Sequence, residues 1–226
     1  MSEISDHIQS IRSSLPAGVR LIAVSKFQPL ERLEEAYQAG QRLFGENRAR
    51  EMQQKHEALP PDIEWHFIGH LQQNKIKYIA PFVAMIHSVD DGVLLSEIDR
   101  AAARCGRVIP CLLEVHIARE ESKFGFTPGT LLSYLAGGAW KSLEHIRICG
   151  LMGMATFTDD EAQVHREFQT LKNTFDKAKQ SFFPEDDGFR ELSMGMSEDY
   201  PTAIGCGSTM VRIGTAIFGP RPAATH

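Results

Sequence analysis

Residues 21–26 read Leu21-Ile22-Ala23-Val24-Ser25-Lys26, a short apolar run that ends on a serine and a lysine. Residues 21–24 form the first of eight such runs, which are rich in Val, Ile and Leu. Runs of this length and composition are typical of strands buried on both faces of a sheet. The other seven predicted strands occupy residues 42–44, 65–68, 84–89, 108–115, 146–151, 190–192 and 210–213.

Helical patterns lie between most of these runs. Residues 70–80 predict one helix, and the aspartates at 90–91 can cap the next. The clearest signal is a capping box, in which Thr158 is the cap and Glu161 follows three residues later. We expect it to open a long amphipathic helix that Pro184 closes, with one apolar stripe packed on the sheet.

The alternation of strands and helices predicts the fold class, which is α/β. Parallel strands joined by right-handed crossovers form either an open doubly wound sheet or a closed (β/α)8 TIM barrel. Eight units in 226 residues match a lean barrel. Because no linker or shift in composition interrupts the pattern, we expect a single domain over residues 1–226.

Composition excludes several classes of protein. The chain carries 24 Lys and Arg against 29 Asp and Glu, so its net charge of −5 disfavours a nucleic-acid partner. Four cysteines without close pairing or C-x-x-C spacing argue against a zinc ribbon or a disulfide scaffold and favour the cytoplasm. We find no signal peptide and no apolar run near the roughly 20 residues that span a bilayer, so no membrane association is expected.

Lys26 follows the first predicted strand and shares the face of Ile22 and Val24. In a barrel this face can be the interior, at the carboxyl-end rim where active sites are built. Burial of a lysine there lowers its pKa, which leaves a neutral amine able to attack an aldehyde. The alternative, a lysine that extends out to solvent, stays open on position alone.

Small polar residues end the last two predicted strands. Leu192-Ser193-Met194-Gly195-Met196-Ser197 and residues 208–215 supply the glycines and hydroxyls of a phosphate cup, which in barrels commonly follows strands seven and eight. Ordinary turn chemistry is the alternative. Arg212 shares a strand face with Met210 and Gly214, which places it beside this cup. The alternative role for Arg212 is an ion pair with a carboxylate at the rim.

Three further positions are weaker candidates. Asn47 follows the second strand on the same rim as Lys26, where it either contacts a ligand or caps a helix. His66 and His70 have metal-like spacing, but no further ligands are evident and we predict no metal site. Lys123 is either a second anion-binding lysine or part of a solvated loop.

A rim lysine beside a phosphate cup suggests a phosphorylated aldehyde, of which pyridoxal 5′-phosphate (PLP) is the common example. Seven motifs in this sequence resemble the YggS/PROSC family of PLP homeostasis proteins, over residues 20–219. They are AVSK at 23–26, FGENR at 44–48, WHFIGHLQ at 65–72, IHSVD at 86–90, EESKFG at 120–125, LSMGMS at 192–197 and GSTMVRIGT at 207–215. Gly153 stands where we expect a threonine.

The resemblance implies a fold-type III PLP-binding barrel like the N-terminal domain of alanine racemase, without that enzyme's C-terminal β-domain. It implies a covalent aldimine on Lys26 and no catalytic residues. The cofactor-binding residues that it implies are Lys26 itself; Ser197, Gly214, Thr215 and the backbone amides around Met196 for the phosphate; Arg212 for the pyridine nitrogen; Asn47 for the ring edge; and His70 as a lining residue.

These residues imply a carrier more than an enzyme. Because arginine only donates hydrogen bonds, a pyridine nitrogen facing Arg212 stays unprotonated and is a weak electron sink. Racemases of this fold type also use a tyrosine base from an additional domain of a partner subunit, for which a chain ending at His226 has no room. We therefore expect a cytoplasmic monomer that holds PLP, releases it to PLP-dependent apo-enzymes and takes part in PLP and amino-acid homeostasis.

Two alternatives remain open at this stage. One is a PLP-dependent amino-acid racemase that works as a bare barrel. The other has no PLP and is a phosphosugar-type enzyme in which Lys26 acts as an acid or a base.

Overall fold

The computed structural model describes residues 2–120 and 124–220, so Lys123 lies outside the described residues. Eight parallel strands close into a barrel in which each strand pairs with its neighbours in chain order. The strands are β1 (Arg20–Val24), β2 (Leu43–Glu46), β3 (Glu64–Phe67), β4 (Met85–Val89), β5 (Ile109–Glu114), β6 (Ile146–Met152), β7 (Glu191–Ser193) and β8 (Met210–Ile213).

The barrel closes between the first and last strands. Leu21 of β1 pairs with Val211 of β8, and on its other side β1 pairs with β2 at Ala23 and Phe44. All eight strands predicted from the apolar runs are present, with ends that differ by at most two residues. The predicted (β/α)8 barrel is therefore confirmed, and the open doubly wound alternative is wrong.

A helix follows each of the eight strands. In the described part of the chain they are α1 (Glu3–Ser14), α2 (Leu30–Gln38), α3 (Ala49–Ala58), α4 (Ile76–Ile79), α5 (Gly92–Arg104), α6 (Pro128–Gly137), α7 (Glu161–Phe182), α8 (Tyr200–Gly205) and α9 (Thr215–Phe218). None of these helices has the length and apolarity that crossing a bilayer requires.

Two helix starts differ from prediction. Residues 70–72 are not helical, and only a short 3₁₀ turn at Gln73–Lys75 precedes α4. The predicted cap Thr158 is wrong, because α7 begins two residues later with Asp160 accepting from the Gln163 N–H at 3.0 Å. Thr158 instead accepts from the Asp160 N–H, so its hydroxyl stabilises the turn that leads into the helix. As expected, Asp91 caps α5.

Alternate strand residues face two separate layers of the core. A small apolar cluster fills the barrel interior, whereas a much larger one packs the outer strand faces against the helices. The interior cluster consists of Ile22, Met85, Leu112, Cys149, Met152 and Met210. Strand parity places Arg212 in the interior as well, since it shares the face of Met210 and pairs with Ile22 of β1. The interior is therefore apolar in part and polar near the carboxyl ends.

Candidate functional site

A cavity of about 300 Å³ opens at the carboxyl ends of the barrel strands. Seven of the eight candidate binding residues line it, and they come from β8 itself and from the segments after β1, β2, β7 and β8. These seven are Lys26, Asn47, Met196, Ser197, Arg212, Gly214 and Thr215. Residues that are up to 189 positions apart along the chain, such as Lys26 and Thr215, therefore face one space.

Lys26 sits in a tight turn directly after β1. The Gln28 N–H donates to the Ser25 carbonyl at 3.0 Å, which makes Lys26 and Phe27 the two central residues of the turn. Phe27 has a φ of 63°, in the left-handed region, and it is the one non-glycine residue with positive φ in the described segments. The turn takes Lys26 out of the strand so that its half-buried side chain lines the cavity.

The segments after β7 and β8, for which a phosphate cup is predicted, lie against one another. The Ala216 N–H donates to Ser197 Oγ at 3.4 Å, which joins the two segments directly. A Cβ at Gly214 would lie 3.2 Å from the Val24 carbonyl oxygen, so a larger residue would push this loop away from β1. The Met196 N–H already donates to Asp199 Oδ1 at 2.6 Å, which leaves Ser197, Gly214 and Thr215 as the stronger candidates for an anion.

Arg212 is a buried cation on the floor of the cavity. Its guanidinium donates to Ser193 Oγ at 2.5 Å and to the Gly153 carbonyl at 3.0 Å, so the alternative of a rim ion pair does not describe its hydrogen bonds. Burial lowers the pKa of Arg212 to about 10, with Asp199 and Glu114 opposing the shift. The side chain therefore stays positive at neutral pH and offers donors only.

A chain of hydrogen bonds runs from Arg212 into the barrel interior. His87 Nδ1 lies 2.9 Å from Ser193 Oγ, and His87 Nε2 lies 2.8 Å from His66 Nδ1. Because Ser193 accepts from Arg212, its own hydrogen is available to His87, which in turn donates to His66. Burial lowers the pKa of His66 to about 3 and holds that of His87 well below its ordinary value, so both rings are neutral.

Asn47 and His70 have different surroundings. Asn47 lines the cavity, and its buried Oδ1 has no hydrogen-bond partner among the described residues. A Cβ at Gly69 would lie 2.8 Å from the Asn47 Cα, so only glycine allows the segment after β3 to pass this close to Asn47. His70 lies in an adjoining depression instead, where its ring stacks on Phe124 and its Nδ1 lies 2.9 Å from Asp90.

Sequence reasoning missed part of the lining. Gln28 is buried in the turn, and its Oε1 is a second amide oxygen without a partner in the part of the chain that the structure describes. Its position two residues after Lys26 was a usable signal, since it follows the same strand. Glu198 and Asp199 also line the cavity, and burial raises the pKa of Asp199.

The residues present fit a phosphorylated pyridine aldehyde. Lys26 supplies an amine, the cup supplies small residues and hydroxyls, and Arg212 supplies a fixed cationic donor. Gln28 and Asn47 each keep an unused amide oxygen at the cavity. His66 and His70 do not face one another, and within the described residues we find no group of three His, Cys, Asp or Glu side chains arranged for a metal ion.

Comparison with known proteins identifies close relatives. The family described as "Alanine racemase, N-terminal domain" matches residues 1–222. A pyridoxal phosphate homeostasis protein of Pasteurella multocida is 38% identical over 208 residues, which cover 91% of this chain and 88% of the relative. Another, from Aquifex aeolicus, is 36% identical over 225 residues, covering 98% of this chain and 96% of the relative.

Solved structures support the same assignment. PipY of Synechococcus elongatus without PLP is 38% identical, has a TM-score of 0.89, and is matched over 96% of this chain and 100% of its own. PipY with PLP bound is 37% identical, with a TM-score of 0.86 over the same shares of both chains. An alanine racemase of Clostridium difficile, 13% identical at a TM-score of 0.76, covers 98% of this chain and is matched over 57% of its own, which shows the fold alone.

The barrel, the lysine-containing cavity and these relatives agree. The chain belongs to the pyridoxal phosphate homeostasis protein family, which has the fold of the alanine racemase N-terminal domain.

Proposed function

We propose that this protein holds PLP in the cavity as a Schiff base with Lys26 and takes part in PLP and amino-acid homeostasis, with PLP-dependent apo-enzymes as recipients. The observation that carries the proposal is that Lys26, Arg212 and the cup residues Ser197 and Thr215 line one cavity. Binding of PLP by PipY, a relative of this chain, supports it.

Each lining residue has a distinct role in this proposal. When bound, PLP supplies an aldehyde that forms a reversible imine with an amine. Lys26 provides that amine, while Ser197, Gly214 and Thr215 hold the phosphate and Met196 contributes backbone beside it. Asn47 contacts the edge of the ring with its unused amide oxygen or, with the amide rotated, its nitrogen. His70 is at most a more distant neighbour, because it faces the adjoining depression.

Arg212 favours storage and release over turnover. Its guanidinium donates and cannot accept, so a pyridine nitrogen that faces it stays unprotonated. An unprotonated ring stabilises a carbanion at an amino-acid α-carbon poorly. Arg212 keeps its own proton at neutral pH, because its pKa of about 10 lies well above that range. The positive charge is thus available for binding but not for proton transfer.

An amino-acid racemase is the alternative function. Two-sided proton transfer needs a second base opposite Lys26, and Glu198 and Asp199 are the titratable candidates among the described lining residues besides Lys26 and Arg212. Burial raises the pKa of Asp199, which makes its carboxylate a stronger base than an ordinary aspartate. Exchange of α-protons of alanine or serine in deuterated water, lost in Lys26→Ala, would favour the racemase; its absence favours the carrier.

The test of the proposal is chemical trapping. Purified protein is mixed with PLP and unbound PLP is removed; the visible spectrum is then recorded, and the protein is reduced with borohydride before peptide mapping. We expect a stable pyridoxyl adduct on Lys26 that Lys26→Ala removes and Lys75→Ala, in the adjoining depression, leaves in place. A colourless protein would favour the phosphosugar-type enzyme, and an adduct on Lys75 or Lys123 alone would overturn the assignment.

The same proposal includes the setting in which the protein works. We propose a single PLP-binding domain over residues 1–226, acting in the cytoplasm as a monomer. Light scattering of the purified protein with and without PLP tests the oligomeric state, and a mass near 25.2 kDa is expected in both conditions.

A further inference from the structure

A cluster of buried and partly buried charged side chains lies behind the turn that carries Lys26. We name it the Lys55 cluster; it consists of Lys55 and Glu51 of α3 and Glu46 of β2. Glu46 shares the outward face of Phe44, because the intervening Gly45 faces Ile22 in the barrel interior. The cluster is therefore on the far side of the barrel wall from the cavity and does not line it.

Lys55 lies on the buried stripe of α3 that also contains Ala49 and Met52. Its ammonium lies 2.7 Å from Glu46 Oε1 and 2.7 Å from Glu51 Oε1. The side chains of Lys55 and Glu46 are 6% and 0% exposed, so both charges are removed from water. Removing two charges from water costs free energy, so a buried ion pair in an apolar interface indicates a role beyond packing.

The cluster makes most of its remaining hydrogen bonds to the Lys26 turn. Lys55 Nζ donates to the Ser25 carbonyl at 2.8 Å, and Ser25 Oγ donates to Glu46 Oε1 at 2.6 Å. The Phe27 N–H donates to Glu51 Oε1 at 2.7 Å. The residues on both sides of Lys26 are therefore held by the same three side chains.

The turn needs such support. Phe27 has a φ of 63°, and a left-handed conformation costs a residue with a Cβ roughly 1–2 kcal/mol. Strained backbone of this kind persists only where the surroundings determine it, and it concentrates at functional sites. A relaxed turn would point Lys26 elsewhere, because its side-chain direction follows from the backbone of residues 25–27.

We propose that Glu46, Glu51 and Lys55 are positioning residues that aim the Lys26 amine at the aldehyde of PLP by holding the strained turn. This inference rests on the proposed attachment of PLP to Lys26. The cluster acts on the amine and not on the phosphate cup, which is built by the segments after β7 and β8. Burial of Glu46, whose Oε2 has no partner among the described residues, raises its pKa to about 7, so the cluster keeps little surplus negative charge.

The test compares two ligands that share a ring and a phosphate. PLP carries the aldehyde, whereas pyridoxamine 5′-phosphate carries an amine and forms no imine with lysine. The double variant Glu46→Gln with Lys55→Met removes both fully buried charges, and the partly exposed Glu51 keeps its hydrogen bond from the Phe27 N–H. We expect it to bind PLP about tenfold to a hundredfold more weakly, as is typical when a reacting group loses its support. Its affinity for pyridoxamine 5′-phosphate should stay within about twofold.

A milder variant tests the proposal even if the double variant does not fold. Glu51→Ala removes the acceptor of the Phe27 N–H and leaves the Lys55–Glu46 pair in place. We expect a loss of a few-fold in PLP affinity and slower borohydride trapping of Lys26. Glu191→Gln is the matched control, because Glu191 is a buried carboxylate paired with Arg20 at the amino end of the strands, and it should change neither affinity.

The outcomes separate this inference from the proposed function. If the native protein shows no preference for PLP over pyridoxamine 5′-phosphate, attachment to Lys26 fails and the inference fails with it. If the native protein shows the preference and the double variant keeps it, the inference alone is overturned. Equal weakening of both ligands would also overturn it, since that result indicates a structural role.

Discussion

Two buried polar clusters on opposite sides of the barrel wall handle charge differently. Inside the barrel, Arg212 is bonded to the Ser193 hydroxyl and a carbonyl, and the chain continues through two neutral histidines. Outside, Lys55 lies between two carboxylates. The outer charges compensate one another and stabilise backbone, whereas the inner cation has neutral hydrogen-bond partners. A buried charge is thus informative about binding when its protein partners are neutral.

Truncating the cation of each cluster gives the largest contrast. Lys55→Met leaves buried Glu46 without its counter-ion and should lower the free energy of unfolding by about 3–5 kcal/mol. Arg212→Met leaves a hydroxyl and a carbonyl without a donor, at a cost of roughly 1–3 kcal/mol. Urea unfolding without PLP measures both variants, and a larger loss for Arg212→Met would contradict the comparison.

The Lys55 cluster should give the free energy of unfolding a specific pH dependence. Burial raises the pKa of Glu46 from 4.5 to about 7, so between these values the folded state keeps a proton that the unfolded chain releases. Stability from this group is therefore greatest at low pH and falls as pH rises through the window, by roughly 3 kcal/mol at most. Glu46→Gln removes this dependence. Unfolding curves of native and variant protein between pH 4.5 and 7.5 should diverge, and parallel curves would exclude the shift.

For the polar side chains inside the barrel, the pH dependence of stability should have the opposite sign. Burial lowers the pKa of His66 from 6.5 to about 3, so below pH 6.5 the unfolded chain binds a proton that the folded state excludes. Stability from His66 is therefore lost as pH falls, by about 2 kcal/mol between pH 6.5 and 5. His66→Gln, which still accepts from His87, should lose less stability over this range. A variant as acid-sensitive as the native protein would contradict the assignment.

The smallest effect is expected at Ser193, which joins Arg212 to the two histidines inside the barrel. Ser193→Ala separates Arg212 from His87 and should cost about 1–2 kcal/mol, because a charged donor loses an acceptor. Ser208→Ala is a suitable control, since the Ser208 hydroxyl is buried but donates to carbonyls alone. The comparison fails if the control costs as much as Ser193→Ala.

Local patterns were sufficient for the framework and for much of the cavity. Apolar runs located the eight strands, strand parity located Arg212 on the interior face, and the position of Lys26 after a strand end located it at the cavity. This works because a buried parallel strand has an apolar composition and because alternate residues share a face. Residues at strand ends also share one end of the barrel, which brought the cup segments to the lysine.

Long-range polar contacts were not predictable from these patterns. His87 and Ser193 are 106 positions apart, and their contact depends on the closed barrel. Lys55 had a usable signal, because it continues the buried stripe of Ala49 and Met52 on α3. The cap of α7 was misplaced because Thr158 and Asp160 are both good caps, and only the backbone geometry selects the second.

Pairing of β1 with β8 has a consequence for synthesis of the protein. Lys26 leaves the ribosome early, but the partner strand and the loop at Gly214 and Thr215 are made nearly 190 residues later. A nascent chain therefore has no complete binding site until the barrel can close. Under the proposed function, only the completed chain can attach PLP, and a truncated translation product should remain colourless.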